Sequence, residues 1–554
     1  MKRRDFIKHL PIGVAATAIP FAVPGLSGLA FGKDSKLGKL LTPMSDNDRV
    51  LVLINLQGGN DGLNTIIPFD DPKYISNRKT IGFTTADDLS KINNLKLRGD
   101  LAFNPMVQYH DAAANRDSRL YKMWQDGKLA VMQNVGYADP NRSHFRATDI
   151  WNSASDSNIV VSTGWLGRYL EEIEPQYPFD VVSGDDPLAM AISFTTTLVF
   201  QGGKSTMGVA VADPSKYSAA AAYADDTPPT NSYGNELGYV RNILVQSDIY
   251  GTRFNQLFAT SPTNNVAYPA ANSLAMQLQK VAWCIAKGMK TKVYFVQQQG
   301  YDTHVLQNSK DNGSGQGKLL FELAEAISTF QEDLEKFGVA DRVVGMTYSE
   351  FGRRVNENSS SGTDHGTCAP QFIFGTQVNG ELYGNNPDLV NLDPYQDLVN
   401  QFDFRQVYAG ILTEWFGPSE ALSKAILNKP EFTKQGSFGF EFPINGQTKS
   451  QSLFKQSAGV PNSNPEDRIF ILKQNYPNPA ISQTTIPFAL SEAADVKLEV
   501  FDSRGDLIAT PVNSRLGRGE HPISFDARRL SSGTYFYRLD VNGAVETKAM
   551  KVVR

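Results

Sequence analysis

The chain has 554 residues, of which 20% are charged and 41% apolar, and a formal net charge of −5. That length exceeds one compact core, and the composition excludes global disorder. The weak acidity and the lack of a basic tract exclude a nucleic-acid partner, and two cysteines, Cys284 and Cys368, exclude a disulfide framework or a CxxC metal site.

Residues 1–31 open with MKRRDFIKHL, in which Arg3, Arg4, Phe6 and Lys8 precede a mildly apolar stretch ending in small residues near Ala30. This segment resembles a twin-arginine export signal, which carries folded proteins across an inner membrane. Pro11, Pro20 and Pro24 interrupt its apolar run, which is too short for a membrane span, so no transmembrane segment is expected in the mature chain.

A body is expected over residues 45–445. Val50–Leu56 (VLVLINL) is a continuous apolar run, as in a strand buried on both faces of a parallel sheet. It delivers QGGNDGLNTIIP, whose glycines let the backbone turn around Asp61. Asp61 has two readings, a metal ligand or the cap of the next turn. Leu129–Val135 is the next strand, and it leads to NRSHF, where Ser143 stands at a predicted helix start. A serine there is an N-cap, or a hydroxyl placed among unpaired N–H groups that favour an anion. Arg142, His144 and Arg146 crowd the same turn.

Thr163–Leu170 predicts a turn and helix, and residues 202–272 read as an irregular insertion with a helix near Glu236–Phe258. Beyond it, SLAMQLQKVAWCIAKGM has helical apolar spacing with Ser273 as cap, and KVYFVQQQ is a strand running into Gly300-Tyr301-Asp302-Thr303-His304. Leu320, Leu323, Ile327, Phe330, Leu334 and Phe337 then form one stripe of an amphipathic helix. The strand RVVGMTYS follows, and a polar loop with Glu350, Arg353, Arg354, Asp364 and His365 separates it from the apolar run QFIFG. Helix and strand thus alternate as βαβ units require, in a mainly parallel sheet with helices on both faces.

In such a sheet the carboxyl ends of the strands share one rim, so Asp61, Asp302, His304 and Glu350 are expected to meet there. Imidazole with carboxylate suits zinc, manganese or iron, whereas a carboxylate set suits magnesium or calcium. A divalent metal is the expected cofactor, with identity open among these.

Residues 446–467, rich in Ser, Asn, Gln and Pro, read as a linker. Residues 468–554 consist of short alternating runs split by SRGD, SSGT and VNG turns, the pattern of a small antiparallel β-sandwich. The segments NYPNP, VFDSRGD and SSGTYFYRL closely resemble the type IX secretion sorting domain. That resemblance implies passage through the periplasm to the outer-membrane surface or the extracellular space, with the twin-arginine and type IX machineries as partners.

The body segments LQGGNDGLNTIIP, NRSHFRATDIW, TGWLGRYL, GYDTH and SEFGRRVNENSSSGTDHG resemble the exported family called domain of unknown function 1501, over nearly all of Arg49–Phe440. This family resembles a remote branch of the alkaline phosphatase and sulfatase superfamily. The resemblance implies a three-layer α/β/α core, with Asp61, Asp302, His304, Glu350 and His365 around a metal. It also implies Ser143 as nucleophile, while a guanidinium of Arg353 or Arg354 is read as pairing with anionic ester oxygens. Phe351 stands where the superfamily has a ligand histidine, which implies a single or weakened metal site. NRSHF also departs from the Cys/Ser-x-Pro-x-Arg sulfatase signature. The expected function is an exported metal-dependent hydrolase of phosphate or sulfate esters, acting on a small anionic ester or a cell-surface glycan. The alternative is a non-catalytic, surface-displayed binding or assembly protein on the same fold.

Overall fold

The computed structural model describes residues 19–23, 26–30, 48–174, 177, 186–193, 197–216, 248–259, 263–418, 420–428, 442–443, 450–455, 470–472, 475–490, 492–502, 506–542 and 544–554. Most of the export signal and of the linker, and residues 217–247 of the insertion, lie outside the described residues. The chain forms two compact units, one spanning Asp48–Ser457 and the other containing Ala458–Arg554.

The first unit is built on a nine-stranded sheet. Its strands are β1 (Val50–Gln57), β2 (Leu129–Gly136), β3 (Ala189–Ala191), β4 (Val209–Ala210), β5 (Val293–Gln299), β6 (Val343–Tyr348), β7 (Ala369–Phe374), β8 (Leu382–Tyr383) and β9 (Phe402–Asp403). They lie in the order β4-β3-β5-β1-β6-β7-β2-β8, and β9 also pairs with β2. Pairing is parallel except on both sides of β7.

Alternation along the strands assigns the two faces. Val50, Val52, Ile54 and Leu56 of β1 join one core, with Leu278, Val281, Leu323, Ile327 and Phe330 of helices α3 (Ser273–Ala286) and α4 (Gly315–Lys336). Leu51 and Leu53 join the other, with Ile150 and Trp151 of α1 (His144–Ser153), Leu166 and Leu170 of α2 (Trp165–Ile173) and Val407 and Tyr408 of α5 (Phe404–Gly410). The body is therefore a three-layer α/β/α sandwich with a mainly parallel sheet, as the alternating sequence pattern requires. Two local differences appear. Asn272, not Ser273, caps α3, its Oδ1 accepting the Ala275 N–H at 3.1 Å. Residues 248–257 are helical, within the span expected for the insertion.

Register places the site. Gln299 of β5 pairs with Gln57 of β1, and Tyr348 of β6 with Asn55, so three strands end side by side. Strand β7 runs the other way, and its first residue, Ala369, lies opposite Val135 near the end of β2. Its amino end thus opens at the same rim, and the loop before it, with His365, arrives there. The Ser349 hydroxyl donates to the Leu56 carbonyl at 2.7 Å and accepts the Asn60 N–H at 2.9 Å, which ties two strand ends together.

The second unit holds a three-stranded antiparallel sheet, β10 (Phe470–Leu472), β11 (Gln483–Leu490) and β14 (Gly519–Asp526). A four-stranded one joins β12 (Ala494–Phe501), β13 (Leu507–Leu516), β15 (Gly533–Val541) and β16 (Ala544–Val552). Alternate residues, among them Ile486, Phe488, Val496, Leu498, Tyr537 and Leu539, close one apolar core, so the tail is the antiparallel β-sandwich that its turn spacing predicts.

Candidate metal centre

Three imidazoles converge on one carboxylate at the rim. Asp302, in the loop after β5, has Oδ1 at 3.2 Å from His304 Nε2 and 3.4 Å from His365 Nε2, and Oδ2 at 3.5 Å from His144 Nε2. His304 and His365 face each other through their Nε2 atoms at 2.9 Å. Ligand atoms of His144, Asp302 and His365 all lie within 4.8 Å of one another. In a tetrahedral zinc site, bonds of 2.0–2.1 Å put ligand atoms ~3.3 Å apart, within the range of these contacts.

Each ring is fixed from behind. His144 Nδ1 meets Glu350 Oε1 at 2.8 Å, His304 Nδ1 meets Asp364 Oδ1 at 3.1 Å, and His365 Nδ1 meets the Arg142 carbonyl at 2.8 Å. All three partners are acceptors, so each neutral ring carries its proton on Nδ1 and turns an Nε2 lone pair inward. His304 and His365 would then oppose lone pair to lone pair, an arrangement relieved by a cation or by an extra proton. His144 Nε2 is buried without a hydrogen-bond partner. A buried polar atom left so costs free energy, which a bound cation removes. The donor set therefore fits a divalent metal.

Local backbone makes the convergence possible. Asn141 Oδ1 accepts the Ser143 N–H at 2.9 Å, a turn that starts α1 with His144 as its first residue. Gly58, at φ +121°, donates its N–H to Glu350 Oε1 at 2.8 Å, and a Cβ there would stand 2.3 Å from the Asp302 nitrogen. A side chain at Gly362 would likewise come within 2.3 Å of the His304 carbonyl. Phe351 packs on His144 and His365, with ring centroids 4.8 and 4.6 Å apart, so the position expected for a second-metal histidine is an apolar wall.

Electrostatics follow from these contacts. The bond to Glu350 raises His144 above the ordinary imidazole range, against a smaller effect of burial. Burial lowers His365, outweighing its bond to the Arg142 carbonyl. At Asp302 burial pulls upward, but the Arg353 bond and nearby positive groups overcome it and hold the carboxyl below its usual range. Asp364 is lowered by the Asn358 amide and by His304.

A cleft of about 370 Å³ opens beside the rings, lined by Arg142, His304, Arg354, Asp364, His365 and Tyr395. Arg142 lies over the Tyr395 ring at 4.9 Å, and its Nη2 pairs with Asp397 and with Asp393 at 3.5 Å. Arg354 Nε also bonds Asp397, at 3.2 Å, and its Nη2 donates to the Tyr395 carbonyl. Burial raises the Asp397 carboxyl despite Arg142. Each guanidinium keeps further N–H groups at the cleft, since each has five donors.

Of the residues expected at the centre, Asp302, His304 and His365 come together, and Glu350 reaches the cluster through His144. Arg354 lines the cleft. Asp61 does not join: it is buried, paired with Arg78, bonded by Gln307 Nε2 at 2.5 Å and by the Leu63 N–H at 3.2 Å. Both its oxygens are committed, so the capping role holds and the ligand role is corrected. Arg353 also differs from expectation. It is buried and donates to the carbonyls of Gly58, Gly59 (2.8 Å), Thr363 (2.8 Å) and Tyr301 (3.0 Å) and to Asp302 Oδ1 (2.7 Å). It holds the rim together and has no fork to offer an ester. Ser143 is exposed at the start of α1, and no base contacts its hydroxyl among the described residues. Sequence reasoning did not bring His144 into this cluster. Its signal was the strand end of Leu129–Val135, which delivers NRSHF to the same rim.

Residues 269–414 match the family model "Protein of unknown function (DUF1501)", and residues 474–553 match "Secretion system C-terminal sorting domain". The sorting domain marks the chain for type IX secretion to the cell surface or extracellular space. Among the described residues no helix is long and apolar enough to cross a membrane. No curated protein matches the sequence. Among solved structures, the PsFucS1 sulfatase from Pseudoalteromonas sp. is similar at 9% identity and a TM-score of 0.28, over 90% of this chain and 89% of that one. Ps i-CgsB in complex with k-i-k-neocarrahexaose is similar at 9% identity and 0.30, over 80% and 84%. The alkaline phosphatase from the Antarctic bacterium TAB5 is similar at 8% identity and 0.23, over 59% and 91%.

Proposed function

We propose that this DUF1501 chain, exported by its sorting tail, is a metal-dependent hydrolase of phosphate or sulfate esters with a single metal centre. The observation that carries the reading is the set of three imidazoles, each with Nδ1 held by an acceptor and Nε2 turned toward Asp302, beside a cleft flanked by Arg142 and Arg354. Asp302 and His365, with His144 and His304, would hold the ion, and two or three imidazoles with a carboxylate favour zinc, manganese or iron over magnesium or calcium. When bound, such an ion supplies Lewis-acid polarisation of an ester oxygen.

The protein's own groups do the rest. Glu350, Asp364 and the Arg142 carbonyl orient the rings. Arg353 fixes Asp302. Arg142 and Arg354 bind the anionic oxygens, a task for which guanidinium donors are suited. Ser143 is not assigned the attacking role, because no base touches it.

Metal analysis of the purified full chain tests this, combined with a metal-supplemented panel of phosphate and sulfate mono- and diesters. The expected result is one bound ion, turnover of at least one ester class, and loss of both in His365→Ala with the fold retained by circular dichroism. A chain that stays metal-free when supplemented, or a His365→Ala variant with unchanged turnover, overturns the reading. The exposed Ser143, without a base, favours a second reading: a metal-anchored surface protein that binds anions without turnover. Metal binding with no hydrolysis across the panel would select it.

A further inference from the structure

The large apolar side chains most exposed in the body cluster around the candidate centre. Among the described residues of this unit they are Phe145, Val160, Val305, Leu306, Val390 and Tyr395, from 62% exposed at Val305 to 86% at Phe145. Tyr395 lines the cleft itself. Phe145 follows His144 in the chain, and Val305 and Leu306 follow His304. Val390 belongs to the loop that carries Asp393, Tyr395 and Asp397. Val160 follows Ile159, whose carbonyl accepts from Arg146 Nη2 at 2.6 Å, which holds that loop against the first turn of α1.

Scattered exposed apolar residues need no explanation, but a concentration of them around one polar cleft does. Four of the six are aliphatic. Saccharide rings are met by flat aromatic and hydrogen-bonding surfaces, whereas protruding Val and Leu side chains suit hydrocarbon. The cleft between them offers guanidinium N–H groups of Arg142 and Arg354 to an anion. Apolar side chains around an anion-binding centre match a molecule that is itself anionic at one end and aliphatic at the other.

Resting on the hydrolase reading above, we infer that the centre takes an anionic amphiphile presented at a lipid surface. The phosphate- or sulfate-bearing headgroup enters the cleft, and the chain docks through Phe145, Leu306 and their neighbours. The apolar ring then positions the protein at the surface and has no part in bond cleavage.

Cosedimentation of the metal-supplemented full chain with lipid vesicles tests this. Mixed phosphatidylglycerol and phosphatidylcholine vesicles should retain the protein, and pure phosphatidylcholine vesicles should not. Phe145→Ser with Leu306→Ser should weaken retention by roughly tenfold for each residue. Both side chains are exposed, so melting temperature, metal content and any turnover of short-chain soluble esters should not change. Equal retention by neutral and anionic vesicles, or undiminished retention of the double variant, overturns the inference. So does a sulfated polysaccharide whose binding falls in the double variant while vesicle binding does not. Vesicle retention without ester turnover would sink the hydrolase reading alone. Turnover of soluble esters without vesicle retention would sink this inference alone.

Discussion

Asp61 and Asp302 follow the ends of adjacent strands, β1 and β5, yet they became opposite kinds of site. Asp61 is sealed from solvent against Arg78, whose Nε and Nη2 are held in turn by the carbonyls of Val355 (2.9 Å) and Arg354 (2.7 Å). Asp302 remains 51% exposed and faces three imidazole nitrogens across gaps of 3.2 to 3.5 Å. Every acceptor at Asp61 has a donor from the protein, so that carboxylate serves the fold. At Asp302 the facing atoms are mostly acceptors, which leaves a place for a cation. A third carboxylate, Glu414, stands between these cases. It is half-buried, and its carboxylate is met by the Ser452 hydroxyl and by the backbone at Phe454 and Leu453.

The sharpest way to break the contrast is Arg78→Met. It leaves the Asp61 carboxylate buried and unpaired, and unfolding in urea should show a loss of about 3–5 kcal/mol. Next in size is the effect of pH through Glu414, whose carboxyl burial raises from 4.5 to about 7. The folded state therefore keeps a proton that the unfolded state releases. The stabilisation from this group is complete below pH 4.5 and is lost as pH rises through about 7. Up to about 3 kcal/mol is at stake. Chemical denaturation across pH 4 to 8 should show that slope in the wild type and its loss in Glu414→Gln.

Smaller again is Asp364→Ala, which removes the acceptor behind His304. Removal of such an outer partner weakens metal binding by roughly 10–100-fold. Competition with a chelator should read that loss, with an unchanged melting temperature in excess chelator. The smallest effect belongs to Asp302→Asn measured with chelator present. The amide keeps an oxygen to accept the Arg353 Nη2 bond, and the other acceptors of that buried guanidinium are backbone carbonyls. Unfolding should therefore move by about 1 kcal/mol or less although metal content falls. A large destabilisation there would erase the distinction between the two aspartates.

Much of this protein was legible along the chain. Continuous apolar runs at Val50–Leu56 and Val343–Tyr348, and the stripe from Leu320 to Leu334, specify buried strands and an amphipathic helix through local periodicity alone. The turn-separated runs after Phe470 specify the tail in the same way. GYDTH and the loop from Glu350 to His365 supplied Asp302, His304 and His365, because those residues stand immediately beside strand ends that the pattern marks.

Which polar residue pairs with which was decided only by the tertiary structure. Asp61 looks like a ligand until Arg78, just past the short helix Pro72–Asn77, is folded onto it. Arg353 looks like an anion fork until the carbonyls of Gly58, Gly59, Tyr301 and Thr363 surround it. His144 enters the centre because β7 runs antiparallel between β6 and β2, which brings the loop after β2 and the loop before β7 to one rim. Periodicity is a property of neighbours in sequence, whereas the partner of a buried charge depends on contacts that only the fold makes, from 17 positions apart for Asp61 and Arg78 to 295 for Gly58 and Arg353.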